Sequence, residues 1–358
     1  MTPKAAVGRQ LRPHTIIPDR IDIVYKDTAS SQIRWPRIFG HIGFACLVLA
    51  FCAWSGIALS VHLTGAVLIT AQATLAIAGL AAVLAHSRAR RWGWCVAAAL
   101  TICVMGWYAT LKPQSDLDWA FDVARSVTAD QSGEIVTLRN VRDFDWYGVS
   151  EAKERWVSRT VDLSQLQSVD MLTSVWDSPD IAHLLVSFGF SDGQRIVFSV
   201  ETRKETHETF NVTGGFFRQF ELVLLATTEE DAIKLRTNHR QEDVRLYPLN
   251  LNAMQRRDLF QSYVDLGNDL AQTPRFYNTV TANCTTTVYK LAQVIAPGLK
   301  LDWRLVASAH LPAYVDRMGG FAEPMPIEDR LMRAKITDRV KAYDGPHYSQ
   351  VIRGLAQP

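Results

Sequence analysis

Three long apolar segments near the N-terminus limit what this chain can fold into. The segments Ile38–Leu63, Thr64–Ala85 and Trp92–Leu111 contain no Asp, Glu, Lys or Arg. Each has about 20 residues or more, the length that an α-helix needs to cross the hydrocarbon core of a bilayer. A helix buried in a soluble protein rarely stays uncharged on every face over that length. The sequence therefore predicts three transmembrane helices within residues 38–111.

Basic residues flank these segments unevenly. Arg88, Arg90 and Arg91 lie between the second and third segments, whereas the turn at residues 61–65 has no Lys or Arg. The first 37 residues are also basic, with Lys4, Arg9, Arg12, Arg20, Lys26, Arg34 and Arg37. Because positively charged loops tend to stay in the cytoplasm, residues 1–37 are predicted to form a cytoplasmic tail. Three crossings then place the rest of the chain outside the cytoplasm.

The remaining residues, 112–358, have the mixed composition of an ordinary folded domain and are numerous enough for a complete hydrophobic core. The net charge of the chain is +2 and no basic stripe is evident, so nucleic-acid binding is not predicted. Apolar segments between turn residues predict strands at 133–144, 181–190, 194–201, 222–226 and 244–249. Helical spacing of apolar residues predicts helices at 116–130 and 251–270. The sequence thus predicts an α+β domain after the three transmembrane helices.

Cys284 is the only cysteine of this domain. The other four lie in the apolar segments: Cys46, Cys52, Cys95 and Cys103. Exported domains usually have paired cysteines or none, so a single thiol there is either buried and inert or reactive. Residues 284–296 have apolar side chains at helical spacing, Asn283 is a good cap, and Pro297 and Gly298 end the segment. Cys284 is therefore predicted at a helix N-terminus, where free N–H groups stabilise a thiolate or an oxyanion.

A nucleophilic cysteine needs a base, and the domain has five histidines. His207 and His239 lie in charged segments and are predicted to be solvated, whereas His310 and His347 lie near prolines and are predicted to be loop residues. His183 differs because it lies near the start of the predicted strand 181–190, which a tight turn connects to the next strand. A three-residue turn pairs His183 with Glu201 across the hairpin, whereas a two-residue turn pairs it with Thr202. Glu201 would orient the imidazole of a Cys–His site; the alternative is a structural histidine on a strand.

Three separated segments carry a resemblance to a known family. They are AHLLVSFGFSDGQRIVFSVETRKE (182–205), GGFFRQFELVLLATTEEDAIKLRTNHRQEDVRLYPL (214–249) and FYNTVTANCTTTVYKL (276–291). In this order they resemble the periplasmic domain of the Lnb-type lipoprotein N-acyltransferases, over residues 135–330. The resemblance implies a permuted papain-like fold, similar to NlpC-type peptidases and lecithin retinol acyltransferase, with an antiparallel sheet and a cysteine-bearing helix. It implies Cys284 as nucleophile, His183 as base and Glu201 as the polar residue beside the base.

The resemblance also implies a location and an activity. It implies a bacterial inner-membrane protein whose domain 112–358 is periplasmic. That domain would transfer an acyl group from a phospholipid, through a thioester on Cys284, to an amine such as a lipoprotein N-terminus. The order of the parts differs, because in Lnb-type proteins the periplasmic domain precedes the membrane helices and here the helices come first.

Two other functions remain open at this point. One is a cysteine peptidase or amidase that acts on peptidoglycan or peptides. The other is a non-catalytic, membrane-tethered binding module. No phosphate-binding loop, HExxH motif or metal-ligand spacing around Cys284 is present in the sequence, so neither a cofactor nor a metal is predicted. The sequence gives no indication of the oligomeric state.

Overall fold

The computed structural model describes residues 35–341 and 343–356. The predicted cytoplasmic tail, residues 1–37, lies outside the described residues except for its last three. Three long helices come first: α1 (Trp35–His62), α2 (Gly65–Arg88) and α3 (Arg90–Thr110). All three are long and apolar enough to cross a membrane, so the prediction of three apolar N-terminal helices is confirmed.

A mixed α/β domain follows the three helices, and its strands form one large and one small sheet. The strands are β1 (Thr128–Ser132), β2 (Ile135–Arg142), β3 (Asp145–Trp146), β4 (Ala152–Lys153), β5 (Trp156–Asp162), β6 (Leu166–Val175), β7 (His183–Phe190), β8 (Arg195–Arg203), β9 (Glu221–Thr227) and β10 (Asp243–Pro248). The large sheet has the order β1-β2-β9-β8-β7-β6-β10, and β5 pairs with β2 beside this path. Its pairs are antiparallel except for one parallel bridge between β2 and β9.

Helices cover both faces of the large sheet. They are α4 (Val212–Phe216), α5 (Glu229–Lys234), α6 (Ala253–Gln272), α7 (Cys284–Ile295), α8 (Leu311–Arg317), α9 (Ile327–Ala334), α10 (Thr337–Val340) and α11 (Tyr348–Val351). On one face, α6 and α7 pack against an aromatic core that includes Phe188, Phe198, Phe260 and Tyr263. On the other face, α5, α10 and α11 cover a second core. Because both faces are covered, the central strands are apolar along most of their length, as in β9, whose seven residues are all buried.

The hairpin of β7 and β8 has the register that a three-residue turn predicts. Phe190 donates its backbone N–H to Gln194 at 3.0 Å, and Leu185 faces Ser199 across the pair. Gly193 adopts a φ of 90°, which an L-residue would adopt only with strain. This register directs His183 and Glu201 to the same end of the sheet.

The prediction of a helix at residues 116–130 is wrong. The chain there is mostly extended, with a single 3₁₀ turn at Phe121–Val123. Ala120 donates its N–H to Lys204 and Val127 donates to Leu224, so the segment runs along the ends of β8 and β9. Burial of Ala120, Val123 and Val127 against the sheet outweighs the local helical spacing.

The α/β domain contacts the ends of α1 and α3. His62, the last residue of α1, donates from Nε2 to the carbonyl of Phe217 at 2.6 Å. Arg218 donates to the carbonyl of Tyr108 in the last turn of α3 at 3.1 Å. Both contacts lie at the end of the helix bundle opposite to the turn that carries Arg88, Arg90 and Arg91.

Candidate active site

Cys284 is the first residue of α7, and its cap fixes this position. The side-chain oxygen of Asn283 accepts from the N–H groups of Thr285 at 3.0 Å and Thr286 at 2.8 Å. The hydroxyl oxygen of Thr286 accepts from the N–H of Asn283, which completes a capping box. The positive end of the helix dipole therefore acts on the thiol, which favours its thiolate form.

His183 is the first residue of β7, and its ring is held by two residues of the neighbouring strand. Its Nε2 lies 2.7 Å from the hydroxyl oxygen of Ser199 and 3.1 Å from Oε1 of Glu201. Ser199 donates its hydroxyl proton to the same carboxylate oxygen at 2.7 Å, so Nε2 is the nitrogen that donates. Nδ1 is then the ring nitrogen left for the thiol. Glu201, not Thr202, faces His183, as the pairing of Leu185 with Ser199 requires.

The histidine and the cysteine change each other's acidity. Burial alone would lower the pKa of His183, but the charge of Glu201 and the hydrogen bond with the Cys284 thiol raise it to about 9. Burial alone would raise the pKa of Cys284, but its hydrogen bond with His183 and the imidazolium charge lower it. The N–H of Leu184 also lowers this pKa by donating to the sulfur. Both shifts favour a thiolate beside an imidazolium.

A buried arginine holds the carboxylate in place. Arg236 donates to Oε1 of Glu201 at 3.2 Å, and its Nε lies 3.9 Å from Glu242. Burial alone would raise the pKa of Glu201, but the charges of His183 and Arg236 hold it well below its usual range. Arg236 lies in a π-helical turn, Leu235–His239, a local geometry that often occurs at functional sites. The sequence analysis missed Arg236, because a charged segment ordinarily indicates a solvated surface.

Tyr277 was also missed by the sequence analysis. Its pKa is raised, first by burial and then by the negative charge on Cys284, which lies close to it. The phenol also interacts with Thr202. Tyr277 lies within the quoted segment FYNTVTANC, but its spacing from the cysteine alone gives no indication of proximity. The hydroxyl group is a candidate donor to an oxyanion that forms beside the thiol.

The other histidines of the domain have different surroundings. His310 contacts Asp180 at 2.7 Å, His347 caps α11, and His207 is exposed. Glu205, His207 and Glu208 bring three potential ligand atoms within 4.8 Å of one another, the one such group among residues 35–341 and 343–356. Glu208 already accepts from the N–H of Glu205 and from Gln219, which explains the cluster as a local turn.

Part of the chain is similar to a known protein family. Residues 152–313 match the Lnb N-terminal periplasmic domain. The resemblance predicted from the three segments is thereby confirmed. The Lnb-type match contains His183, Glu201, Arg236, Tyr277 and Cys284, and it suggests a lipoprotein-processing membrane protein.

The Lnb-type match together with the three apolar helices fits a membrane protein with a C-terminal periplasmic domain. No curated protein matches this chain, and no solved structure does.

Proposed function

We propose that this protein is a membrane-bound thiol acyltransferase that uses Cys284 as nucleophile, His183 as acid and base, and Glu201 to orient the imidazole. The observation that carries the proposal is a thiol at a helix N-terminus whose pKa is lowered by a neighbouring histidine, which a half-buried carboxylate holds in place. The Lnb-type match supports an acyl acceptor among lipoproteins. The order of the parts, a histidine strand before a cysteine helix, supports a permuted papain-like fold.

The proposed reaction has two steps. The thiolate of Cys284 attacks the ester carbonyl of a phospholipid, the acyl–oxygen bond breaks, and the His183 imidazolium gives its proton to the departing lysophospholipid. In the second step an amine attacks the thioester, the carbon–sulfur bond breaks, and His183 accepts the amine proton. The products are an amide and the original thiolate. The backbone N–H of Cys284, at the N-terminus of α7, and the Tyr277 hydroxyl would stabilise the oxyanion of each tetrahedral intermediate.

The three apolar helices are consistent with an enzyme that acts on membrane lipids. Acyl chains leave a bilayer at a cost of about 0.8 kcal/mol per CH₂ group. An enzyme that uses them gains from a site fixed at the membrane surface. We propose that α1, α2 and α3 cross the inner membrane and hold the domain on its periplasmic side.

A reporter fused after Pro358 should be active only if it folds in the periplasm, and one fused after Arg91 only if it stays in the cytoplasm. The arginines between α2 and α3 and the contact of the domain with the opposite helix ends motivate this expectation. A cytoplasmic signal from the reporter after Pro358 would contradict the topology.

The acyltransferase and the amidase make opposite predictions for defined substrates. The purified protein in phospholipid vesicles should release lysophospholipid and acylate the N-terminal amine of a diacylglyceryl-cysteine peptide. Both products should appear in equal amounts, as measured by mass spectrometry. Cleavage of peptidoglycan fragments without lysophospholipid release would favour the amidase. Neither product, with a Cys284 that is alkylated only after denaturation, would favour the binding module.

A further inference from the structure

The loop between β8 and β9 is inserted against the helix bundle. Phe217 packs against Trp54, Ala58 and Tyr108, with 5.7 Å between the ring centres of Phe217 and Trp54. Trp54 lies eight residues before the end of α1. That spacing is about 12 Å along the helix axis. The loop therefore extends along the side of α1 and does not merely touch its end.

The neighbouring residue strengthens this contact. Arg218 has a φ of 61°, a left-handed conformation that strains a non-glycine residue. Its guanidinium lies 4.5 Å from the centre of the Tyr108 ring and bonds the Tyr108 carbonyl. These contacts offset the backbone strain. Trp54 and Tyr108 pack edge to face at 5.1 Å, so they lie at one level of the helix bundle.

Four apolar side chains near this contact are largely exposed. They are Phe210, Val212, Phe216 and Val280, which we call the apolar rim, and each is more than 40% exposed. Phe216 directly precedes the inserted Phe217, so it lies close to the level of Trp54 and Tyr108. Contact with lipid would remove the cost of exposing an apolar surface at that level to water.

Two successive hydrogen bonds link the apolar rim to the residue that caps the cysteine helix. The backbone carbonyl of Val212 accepts from the hydroxyl of Thr279 at 3.1 Å, and Asn283 donates to the carbonyl of Thr279 at 2.7 Å. Asn283 is the cap that positions Cys284. On the other side, the Phe210 ring lies 6.3 Å from the ring of Tyr277, which is close to the thiol.

We propose that the apolar rim inserts into the outer leaflet of the membrane and forms the surface over which a phospholipid ester reaches Cys284. The inference rests on the proposed function, because it names how that site obtains its lipid. The same contacts that anchor the loop on α1 and α3 fix the rim at the membrane surface. The acyl ester, which lies just below the headgroup, therefore needs to move only a short way to the thiol.

Photocrosslinking tests the apolar rim directly. p-Benzoylphenylalanine replaces Phe216 in the full chain, in a Cys284→Ala background, and the protein is irradiated in phospholipid vesicles. The matched control is the same substitution at Ile135, which is 43% exposed against 45% for Phe216. Ile135 lies at the end of the sheet opposite to His183, beside the β7–β8 turn. We expect phospholipid adducts at position 216 and few at 135; equal yields at both positions would overturn the proposal.

A kinetic comparison supports the crosslinking. Phe216→Ser should reduce lysophospholipid release from vesicles by about 10-fold, the factor expected from the lost burial of one large apolar side chain in lipid. Ile135→Ser should keep the wild-type rate, and an unchanged rate in Phe216→Ser would contradict the proposal. The proposed function and the proposed role of the apolar rim can be rejected independently. Adducts at 216 in a protein that never transfers acyl groups would reject the proposed function alone, whereas normal transfer without adducts would reject the rim alone.

Discussion

Cys284→Ser should lower acyl transfer by roughly 10⁴-fold or more, the scale of losing a catalytic nucleophile. A serine hydroxyl is nearly the same size as a thiol, so the cap of α7 and the packing around it should persist. The hydroxyl cannot ionise beside an imidazolium near neutral pH, so the attacking group is lost. Lysophospholipid release from vesicles measures the effect.

The matched control for this variant is Cys103→Ser. Cys103 lies exposed on α3 and is far along the chain from the site. We expect the wild-type rate in this control. If Cys284→Ser retained a tenth of the wild-type rate or more, Cys284 could not be the nucleophile, and its position at the helix N-terminus would have a structural reason.

His183→Ala should lower acyl transfer by about 10²–10⁴-fold, the usual contribution of a general acid–base residue. It should also make Cys284 a weaker acid. In the wild-type protein the imidazolium lowers the pKa of the thiol against the effect of burial. Without it, burial raises the pKa of the thiol against the smaller effect of the Leu184 N–H.

The pH dependence follows from the directions of the two shifts. Cys284 has a lowered pKa, so its thiolate persists below the pH at which an ordinary thiol becomes protonated. His183 has a pKa raised to about 9, so its acid form persists up to that pH. Acyl transfer should therefore rise through the lowered pKa of Cys284 and fall above about pH 9. Alkylation of Cys284 by iodoacetamide, followed by peptide mass spectrometry, should require higher pH in His183→Ala. Identical alkylation profiles in the two proteins would contradict the pairing.

Much of the candidate site could be predicted because its signals are local. The strand segments, the glycine of the turn and the three-residue loop together determine the hairpin register, and the register directs Glu201 to His183. The helix N-terminus at Cys284 was predictable in the same way, since Asn283 and the apolar spacing lie within one segment. Such signals need no knowledge of distant parts of the chain.

The parts that could not be predicted depend on contacts between distant segments. Arg236 lies 35 residues after Glu201, and a π-helical turn positions its side chain to contact Glu201. No residue pattern in the sequence predicts that turn. Residues 116–130 have helical spacing, yet sheet contacts made more than 80 residues away keep them extended. In the sequence Phe217 has the pattern of an ordinary loop residue, and its contacts with α1 and α3 are evident only in the structure. The position of the site relative to the helix bundle depends on the same long-range contacts, so the sequence does not predict it.

The most direct test is the intact mass of the full-length protein after incubation with phospholipid vesicles in the absence of an amine acceptor. The account predicts a mass increase equal to one acyl chain, located on Cys284 and removed by neutral hydroxylamine, as a thioester requires. The Cys284→Ser protein should carry no hydroxylamine-labile adduct. A wild-type protein that turns over phospholipid, yet never carries an acyl group on Cys284 at any time point, would contradict the account.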